Sequence, residues 1–536
     1  MSFTFNFAPR RKAGIFACPL PLLFAAMVST VLVLVPIIIT VVNACAGGWG
    51  LAVTLLWRPL VGELFLNTIG LLVVVCAFCA VTGTILAWLI ERTDLPGRSI
   101  WSPLAVVPLT IPAFVSSYTW LSISPAFAAF WGAVLVLTAS YYPFVYLPVA
   151  AALRGMDPAL EETARALGLN IWQVLWRVIL PQLRPALLGG TLLVALNTLV
   201  EFGAFALLRY RTFTTTIYGT YRAGFSGAEP ALLAVALLCL CILCLVAEAL
   251  ARGKVRHYGR LARGVRRSAW RYGLGHWRRM ALLVPVGLGV VTVFVPLATI
   301  LFWMTKPVDS ATTVAGASYL GLLMTSWSSI SLGLEAALLS LVLALPLALL
   351  AVRYPGGLPI FMERCAYLAQ GLPGVVVALA LISFTVHHLF WLYQSRFLLI
   401  VAYSILFLPM ALVNVRAALM QAQARLEEAS YSLGLGRFET LWRVILPLAA
   451  PGLGAAACMV FISVVTELTT TLLMAPIGTW TLATELWADT STVAFAAAAP
   501  YAAVMVVISM VASWLLAGKL GRHGVLSFES NPEGGR

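Results

Sequence analysis

The sequence predicts an all-α polytopic membrane protein with about twelve transmembrane helices, arranged as two parallel six-helix repeats. Composition is the first observation behind this prediction: 61% of the 536 residues are hydrophobic, 10% are charged, and the mean hydropathy is +0.97. A soluble protein of this length cannot hide so much apolar side chain, because much of any folded surface stays in water. Several uncharged stretches also exceed the roughly 18 residues that indicate a bilayer-spanning helix.

The distribution of basic residues is the second observation. The predicted spans are 14–43, 67–90, 101–122, 127–152, 186–208, 229–250, 280–303, 328–352, 365–387, 397–417, 452–474 and 498–518. With the N-terminus inside, all but six of the 34 Lys and Arg residues fall at cytoplasmic segments, which is the positive-inside bias. Both termini are therefore predicted to be cytoplasmic. Topology in the lipid bilayer also explains the net charge of +14, so no nucleic-acid partner is expected.

An internal repeat is the third observation. Residues 161–168 recur as 427–434, and residues 175–181 recur without change as 441–447, both at an offset of 266. Earlier in the chain, Ile111-Pro112 pairs with Leu372-Pro373 at an offset of 261. A repeat of half the chain indicates two like domains. Since each contains six spans, both enter the membrane in the same sense.

The repeat predicts the domain boundaries. The first unit covers 1–250 with a cytoplasmic loop at 153–185, and the second covers 280–518 with a loop at 418–451. A basic cytoplasmic linker, 251–279, joins them, and 519–536 is a cytoplasmic tail. Ten Lys or Arg and no acidic residue lie at 252–279, which favours contact with anionic lipid headgroups.

The two cytoplasmic loops are polar but patterned. In the first, Pro158 suits an initial helical turn, Gly168 can end that helix with a positive φ, and Asn170 can cap the next one. Apolar residues then recur at helical spacing until Pro181 stops the pattern. We expect a short helix, a glycine turn and a second short helix, repeated in the second loop with Gly434 at the turn.

Both loops resemble the cytoplasmic motif of permease subunits of ABC importers: Glu-Ala-Ala, three residues, Gly, nine residues, Ile-x-Leu-Pro. The matching residues are Glu162, Thr163, Ala164, Gly168, Leu180 and Pro181 in the first loop, and Glu428, Ala429, Ser430, Gly434, Leu446 and Pro447 in the second. The resemblance implies a type I ABC importer permease fold in the bacterial cytoplasmic (inner) membrane. It also implies that each loop is a coupling helix in a groove on an ATPase subunit, with two ATPase copies and a periplasmic substrate-binding protein as partners. Because the chain contains no Gly-x-x-x-x-Gly-Lys-Ser/Thr loop, we expect it to bind no cofactor and to leave ATP hydrolysis to the partner.

Glu201 and Glu467 are the matched acids that lie deep within predicted spans, again at an offset of 266. An ionisable side chain within a span costs about 2–3 kcal/mol on insertion scales and by default indicates function. Two carboxylates on one central path would suit a hard cation as transient ligands. The alternative is a structural carboxylate bonded to a neighbouring Asn or Thr, such as Asn197 or Thr466.

The segments that begin with these acids, 201–218, 467–473 and 478–483, resemble the corresponding regions of fused ferric-iron importer permeases. Under that resemblance, Tyr210 and Tyr218 supply hard-oxygen partners for the cation. The match is incomplete, since Arg211 replaces an expected acid and Thr469 an expected proline. Related permeases for thiamine, aminophosphonates or polyamines share much of the pattern and remain alternatives.

Two other classes of protein fit the sequence less well. A secondary transporter driven by an ion gradient would lack paired ATPase-docking loops. A membrane-embedded enzyme would need a catalytic cluster, but the five histidines are not duplicated between the halves and three of them lie in the basic linker or tail.

Overall fold

A computed structural model describes residues 19–156, 158–224, 227–252, 271–307, 319–354, 356–421 and 424–525. Within these ranges the secondary structure is helical, and the β-type pairing is limited to one bridge between Thr93 and Tyr272. The predicted all-α class is confirmed.

The α-helices of the first half are α1 (Leu20–Ala46), α2 (Gly48–Leu56), α3 (Pro59–Arg92), α4 (Arg98–Leu104), α5 (Ala113–Ile123), α6 (Phe130–Tyr141), α7 (Pro143–Gly155), α8 (Pro158–Ala166), α9 (Ile171–Val174), α10 (Leu180–Val200), α11 (Gly203–Leu207), α12 (Phe213–Arg222) and α13 (Ala228–Arg252). Those of the second half are α14 (Arg278–Gly289), α15 (Val295–Met304), α16 (Tyr319–Arg353), α17 (Gly357–Leu368), α18 (Gly374–His388), α19 (Arg396–Gln421), α20 (Ala424–Ser432), α21 (Arg437–Thr440), α22 (Leu446–Val465), α23 (Thr469–Met474), α24 (Leu482–Ser491) and α25 (Phe495–Val525).

Ten helices of the described chain are long and apolar enough to cross a membrane, and two bent helix pairs bring the number to twelve. With each bent pair as one span, the predicted number of spans is confirmed, and the predicted spans 101–122 and 365–387 correspond to these bent pairs. Their helices turn by 89° and 109° at Ile111-Pro112 and Leu372-Pro373. The residue before a proline is pushed out of the α region, and Ile111 and Leu372 indeed have extended backbones. Apolar composition predicts that such a segment lies in the membrane, but it does not predict the bend before the proline.

Three π turns lie directly before prolines and keep the helices continuous. The donors and acceptors of their wide-turn hydrogen bonds are Leu180 N to Leu175 O, Val295 N to Val290 O, and Leu446 N to Leu441 O. A proline ring clashes with the carbonyl four residues earlier, and an extra residue in the turn moves that carbonyl away. The prediction that Pro181 stops the loop helix, and Pro447 likewise, is therefore wrong, because the loop helices run on into α10 and α22.

The two predicted fifth spans, 186–208 and 452–474, also differ from the helices observed. Each helix begins earlier, inside the polar loop, and ends at Val200 or Val465. A short break follows before α11 or α23 begins. The deep acids Glu201 and Glu467 lie in these breaks.

Packing divides the chain into two compact units. Unit 1 comprises residues 1–43, 318–484 and 507–536, and unit 2 comprises residues 44–317 and 485–506. This division differs from the predicted sequence halves, because the first helix groups with the second half and α14 and α15 group with the first. Sequence repetition and packing are thus separate properties of this chain, and the predicted domain boundaries describe only the repetition.

In unit 1, α16, α19 and α22 pack together, and α1 is joined to α16 and α18 by hydrogen bonds. Ser29 Oγ donates to Leu343 O at 2.9 Å, and Asn43 Nδ2 donates to Ser383 Oγ at 2.9 Å. These hydrogen bonds explain why α1 belongs to unit 1, since polar groups between apolar helices are satisfied by neighbouring helices.

In unit 2, the corresponding bundle is α3, α7 and α10. Its core includes the fully buried side chains of Val75, Cys79, Val145 and Val149. Both bundles end at one side in the polar loop segments, so the membrane helices position those segments.

Candidate functional site

Two polar loop segments have the same backbone. The first loop segment (residues 158–181) starts with α8, and the second loop segment (424–447) starts with α20. Each of these helices is followed by a glycine in the left-handed region, with φ of +81° at Gly168 and +84° at Gly434. Glycine adopts this conformation without steric cost. The predicted helix and glycine turn are confirmed in both copies.

Hydrogen bonds close the turn and start the next helix. Leu169 N donates to Ala164 O at 3.2 Å, which is the six-to-one bond of a Schellman motif, and the second loop segment has the equivalent bond at 3.1 Å. Asn170 Oδ1 then accepts from Gln173 N at 2.9 Å, while Gln173 Oε1 accepts from Asn170 N at 3.0 Å. This is a reciprocal capping box, and it confirms Asn170 as the cap.

The motif residues divide into two faces. Exposed residues are Glu162, Thr163, Gly168, Pro181, Glu428, Ala429, Gly434 and Pro447. Leu180 and Leu446 are half-buried, and Ala164 and Ser430 are buried. The motif glutamate (Glu162 or Glu428) and the small residue after it are therefore exposed, while the second small residue (Ala164 or Ser430) packs against the permease.

A buried ion pair, which sequence reasoning missed, anchors the first loop segment. Glu161, not Glu162, turns inward: its side chain is 2% exposed and its Oε1 lies 2.8 Å from Nη2 of Arg92, which is 0% exposed. Arg92 is the last residue of α3. Burial of both charges makes the pair costly to break. The pair therefore ties the loop to the end of a membrane helix.

The second loop segment has the matching pair, Glu427 with Arg353, the last residue of α16. Arg353 Nη2 also donates to Leu419 O at 3.4 Å. Here the side chains are 12% and 19% exposed. Burial raises the pKa of Glu427, and the Arg353 guanidinium opposes that rise. Arg92 and Arg353 are related by the offset of 261, so the repeat itself carried the signal that could have identified these arginines.

Tyr272, at the end of the basic linker, adds a contact to the first loop segment. Its N–H donates to Arg92 O at 2.8 Å, and its hydroxyl donates to Glu161 Oε2 at 3.3 Å. The guanidinium of Arg165, on the loop helix, lies 4.8 Å from the centre of the tyrosine ring. Tyr272 thus contacts both residues of the buried ion pair and the loop helix.

Large apolar side chains remain exposed on both loop segments. The most exposed are Leu167 (77%) and Trp176 (64%) in the first, and Leu433 (83%), Phe438 (73%) and Trp442 (58%) in the second. Trp176 and Trp442 occupy equivalent positions in the repeat. Aromatic residues on a polar segment are typical of protein–protein interfaces.

Glu201 is a half-buried carboxylate that caps a helix. It ends α10, and its Oε1 accepts from Ala204 N at 2.9 Å, in the first turn of α11. Its Oε2 accepts from the hydroxyl of Tyr141 at 2.7 Å, and its backbone carbonyl accepts from Thr214 Oγ1 at 2.7 Å. Tyr141 is therefore the phenol that the structure brings to this acid.

Glu467 has the same geometry in unit 1. Its Oε1 accepts from both N and Oγ1 of Thr470, each at 3.1 Å, and its backbone carbonyl accepts from Thr471 Oγ1 at 2.8 Å. A side chain on Gly374 would approach the same Oε1 to 2.8 Å, so glycine there lets the backbone of the bent pair lie against the carboxylate.

The other predicted pathway residues have different partners. Tyr210 donates to Asn67 O at 3.3 Å, and Tyr218 packs on Phe202 with ring centres 4.7 Å apart and accepts from Arg222. Neither phenol is bonded to Glu201.

The structural alternative gave Asn197 and Thr466 as examples of a bonded neighbour, but the threonine that bonds Glu467 is Thr470. The Asn197 amide donates to Leu193 O, and the Thr466 hydroxyl donates to Ile462 O, so neither bonds the acid beside it. Among the residues that the structure describes, no group of three or more His, Cys, Asp or Glu could hold a metal ion.

Comparison with known proteins agrees with this arrangement. The family described as binding-protein-dependent transport system inner membrane component matches residues 20–256 and 340–518. The chain is 36% identical over 482 residues to the Fe(3+)-transport system permease protein FbpB 2 of Haemophilus influenzae, an alignment that covers 90% of this chain and 94% of the relative.

Other relatives match shorter stretches of the chain. The molybdenum transport system permease protein ModB of Escherichia coli is 30% identical over 166 residues, which is 28% of this chain and 69% of the relative. The sulfate transport system permease protein CysT of Escherichia coli is 28% identical over 198 residues, which is 34% of this chain and 70% of the relative.

Proposed function

The chain belongs to the family of binding-protein-dependent transport system inner membrane components, and we propose that it is the fused permease of an ATP-driven importer of ferric iron. It is a multi-pass inner membrane protein and a transport subunit of the ABC importer class. The observation that carries the cargo proposal is the 36% identity to an Fe(3+)-transport permease along nearly the full length of both chains.

The energy source in this proposal is a pair of ATPase subunits that dock on the two loop segments. Two features support it: the equivalent backbones, and the exposed aromatic residues Trp176 and Trp442 at matching positions. The exposed Glu162 and Glu428 would face the ATPases. The inward pairs of Glu161 and Glu427 join the loop segments to the ends of α3 and α16, and in this proposal they couple movement of the ATPases to those helices.

The direction of transport follows from the proposed orientation. With both termini cytoplasmic, the loop segments face the ATPases, and the breaks at Glu201 and Glu467 lie toward the periplasm, where a binding protein would deliver the ion. Carboxylate and phenol oxygens suit a trivalent cation. In this proposal Glu201 and Glu467 are transient ligands, and Tyr141, rather than Tyr210 or Tyr218, is the phenol beside Glu201.

The complete transporter, with its ATPase and binding protein in proteoliposomes, tests the cargo. We expect ATP-dependent uptake of ferric ion supplied as citrate, and none of molybdate, sulfate, thiamine or an aminophosphonate. Uptake of one of these compounds, with no uptake of ferric ion, would refute the proposal that ferric iron is the substrate. The purified chain alone should hydrolyse no ATP. Reproducible ATP turnover by the purified chain would refute the proposal that hydrolysis is carried out by partner subunits.

A narrower test addresses the two capping acids. Glu201→Gln combined with Glu467→Gln keeps one acceptor oxygen at each position and removes both charges. We expect iron uptake to fall while the complex still assembles, whereas the exposed Glu63→Gln should transport normally. Normal uptake by the double variant would show that these carboxylates are purely structural.

A further inference from the structure

A second pair of acids lies on α24, between the last two spans of the chain. Glu485 and Asp489 are one helical turn apart and therefore share a face. Their residues are 3% and 2% exposed. Two buried carboxylates on one face repel each other, and desolvation adds to that cost.

No cation compensates these charges within the described chain. No Lys or Arg there forms an ion pair with either acid, and Oδ1 of Asp489 has no hydrogen-bond partner. Burial raises the pKa of Asp489 to about 6, and burial together with the charge of Asp489 raises the pKa of Glu485. The structure therefore contains a buried carboxylate oxygen without a partner among the described residues.

The Asp489 carboxylate is not needed to hold the local backbone. The turn after α24 is closed by the main-chain carbonyl of Asp489, which accepts from Ala494 N at 2.8 Å and from Thr492 Oγ1 at 3.0 Å. Val493 in this turn has a φ of +65°, which is strained for a β-branched residue. The turn therefore fixes the position of Asp489 and leaves its side chain free for another role.

A tyrosine provides a third oxygen at the same place. Tyr501, on α25, is 6% exposed and its hydroxyl makes no hydrogen bond to the described residues. It interacts electrostatically with both Glu485 and Asp489. Buried polar atoms are rarely left unpaired in proteins, so the unpaired Oδ1 of Asp489 indicates a missing partner at this place. Carboxylate and phenol oxygens are ligands for a hard, highly charged cation.

We propose that Glu485, Asp489 and Tyr501 form a receiving site for a hard trivalent cation on the outer side of the permease. The proposal rests on the proposed ferric cargo and orientation, which place the turn between the last two spans on the periplasmic side. The site binds the ion after the binding protein releases it and before the ion reaches the deeper part of the path. Its charge compensates the two carboxylates, and the phenol completes the set of oxygen ligands.

Terbium binding to the purified full chain in detergent tests the site directly. Tb³⁺ is a hard trivalent ion whose luminescence is excited through nearby tryptophan, and Trp487 lies two residues from each acid on the same helix. We expect Glu485→Gln with Asp489→Asn to weaken Tb³⁺ affinity by about tenfold or more, because anionic ligands of a hard cation are lost. The matched control is Glu335→Gln, whose carboxylate is already paired with Arg396 at 2.9 Å and which should bind Tb³⁺ as the wild type does.

Thermal unfolding separates loss of binding from loss of folding. Without Tb³⁺, the double variant should be at least as stable as the wild type, because two buried charges have been removed. Tb³⁺ should raise the unfolding temperature of the wild type and of Glu335→Gln but not that of the double variant. Equal Tb³⁺ affinity in the wild type and the double variant, or no binding by the wild type, would overturn the site.

Transport by the complete complex distinguishes the site from the cargo. If the wild type imports iron and the double variant loses at least most of that uptake, the site lies on the path. If the double variant imports iron normally, the site is not on the path and the inference is wrong although the cargo stands. If the wild type imports no iron, the cargo proposal fails, whereas the Tb³⁺ measurements still decide whether a trivalent-cation site exists.

Discussion

The two loop segments share an unbroken run of seven identical residues (175–181 and 441–447), the same glycine turn and the same π turn, but they are anchored differently. In the first, the ion pair of Glu161 and Arg92 is almost fully buried, and Tyr272 of the linker lies over it. In the second, the pair of Glu427 and Arg353 is partly exposed. The backbone of the two loop segments is therefore the same, while the burial of the ion pair that anchors each segment differs.

The contact behind the glycine turn shows the same divergence. Ala164 and Val174 are buried in the first loop segment. Ser430 and Thr440 occupy the equivalent positions in the second, buried, with their hydroxyl oxygens 3.0 Å apart. Alanine and serine, like valine and threonine, have similar shapes, so an apolar contact and a hydrogen-bonded contact support the same turn.

The largest expected difference concerns the ion pairs. Arg92→Ala should lower the free energy of unfolding by about 3–5 kcal/mol, because Glu161 is left charged and buried. Arg353→Ala should cost less, about 1.5–3 kcal/mol, since water reaches Glu427. Thermal unfolding of the full chain in detergent measures both. The exposed pair of Arg443 and Glu439 provides the control, and Arg443→Ala should cost less than about 1 kcal/mol. Equal losses for Arg92 and Arg353 would remove the distinction between the segments.

The tryptophans test whether the outer faces remain equivalent. Trp176→Ala and Trp442→Ala should each weaken ATPase binding by about 2 kcal/mol, as is typical when a central aromatic residue of an interface is truncated. Both side chains are largely exposed, so the unfolding temperature of the isolated chain should hardly change. Binding is measured by titrating the ATPase onto the chain in nanodiscs, with the lipid-facing Trp514→Ala as control. A large effect from one tryptophan alone would show that the two docking faces have also diverged.

The serine–threonine contact can be converted into its apolar counterpart. Ser430→Ala alone should destabilise the chain by about 1–3 kcal/mol, because the buried hydroxyl of Thr440 loses its partner. Ser430→Ala with Thr440→Val reproduces the residues of the first loop segment and should recover most of the loss. The double-mutant cycle in thermal unfolding measures this coupling. Additive losses would mean that the two hydroxyl groups do not support each other.

The linker contact should have a smaller effect. Tyr272→Phe removes one hydrogen bond to Glu161 and keeps the ring beside Arg165, so a loss of about 0.5–1.5 kcal/mol is expected. The comparison variant is Tyr431→Phe, an exposed tyrosine on the second loop segment. Hydrogen exchange at residues 158–168 should rise in Tyr272→Phe and stay unchanged in Tyr431→Phe. Unchanged exchange in both would mean that the linker does not hold the loop helix.

The smallest effect concerns pH. Because burial raises the pKa of Glu427 above its unfolded value near 4.5, the folded chain binds a proton more tightly there than the unfolded chain does. The contribution of this group to stability is therefore largest below pH 4.5 and declines as pH rises through the folded pKa. Glu427→Gln should remove this decline from a plot of unfolding temperature against pH, whatever its effect on the absolute stability. A plot parallel to that of the wild type would contradict the assignment.

Much of the fold was predictable because its determinants are local. Apolar stretches indicate spans, Gly168 and Gly434 mark turns, and Asn170 can cap only the helix that follows it. The bends at Pro112 and Pro373 were not predicted, although both prolines were recognised as repeat partners, because apolar composition carries no information on direction.

The inward acids illustrate why the site was only half predictable. The motif places two glutamates side by side, and its spacing cannot say which one faces the protein. That choice depends on Arg92 and Arg353, which end helices elsewhere in each half. Likewise, Glu201 was recognised as a buried acid, but its partner Tyr141 comes from a different helix and has no counterpart at the equivalent position, Phe407.

The grouping of α1 with unit 1 has a consequence for biosynthesis. Ser29 bonds to the carbonyl of Leu343, 314 residues further along the chain. At about 5–20 residues per second, the ribosome needs roughly 15–60 s to make that partner. During this interval α1 lies in the bilayer without its hydrogen bond to Leu343. Its packing against α16 can therefore form only after most of the chain has been synthesised.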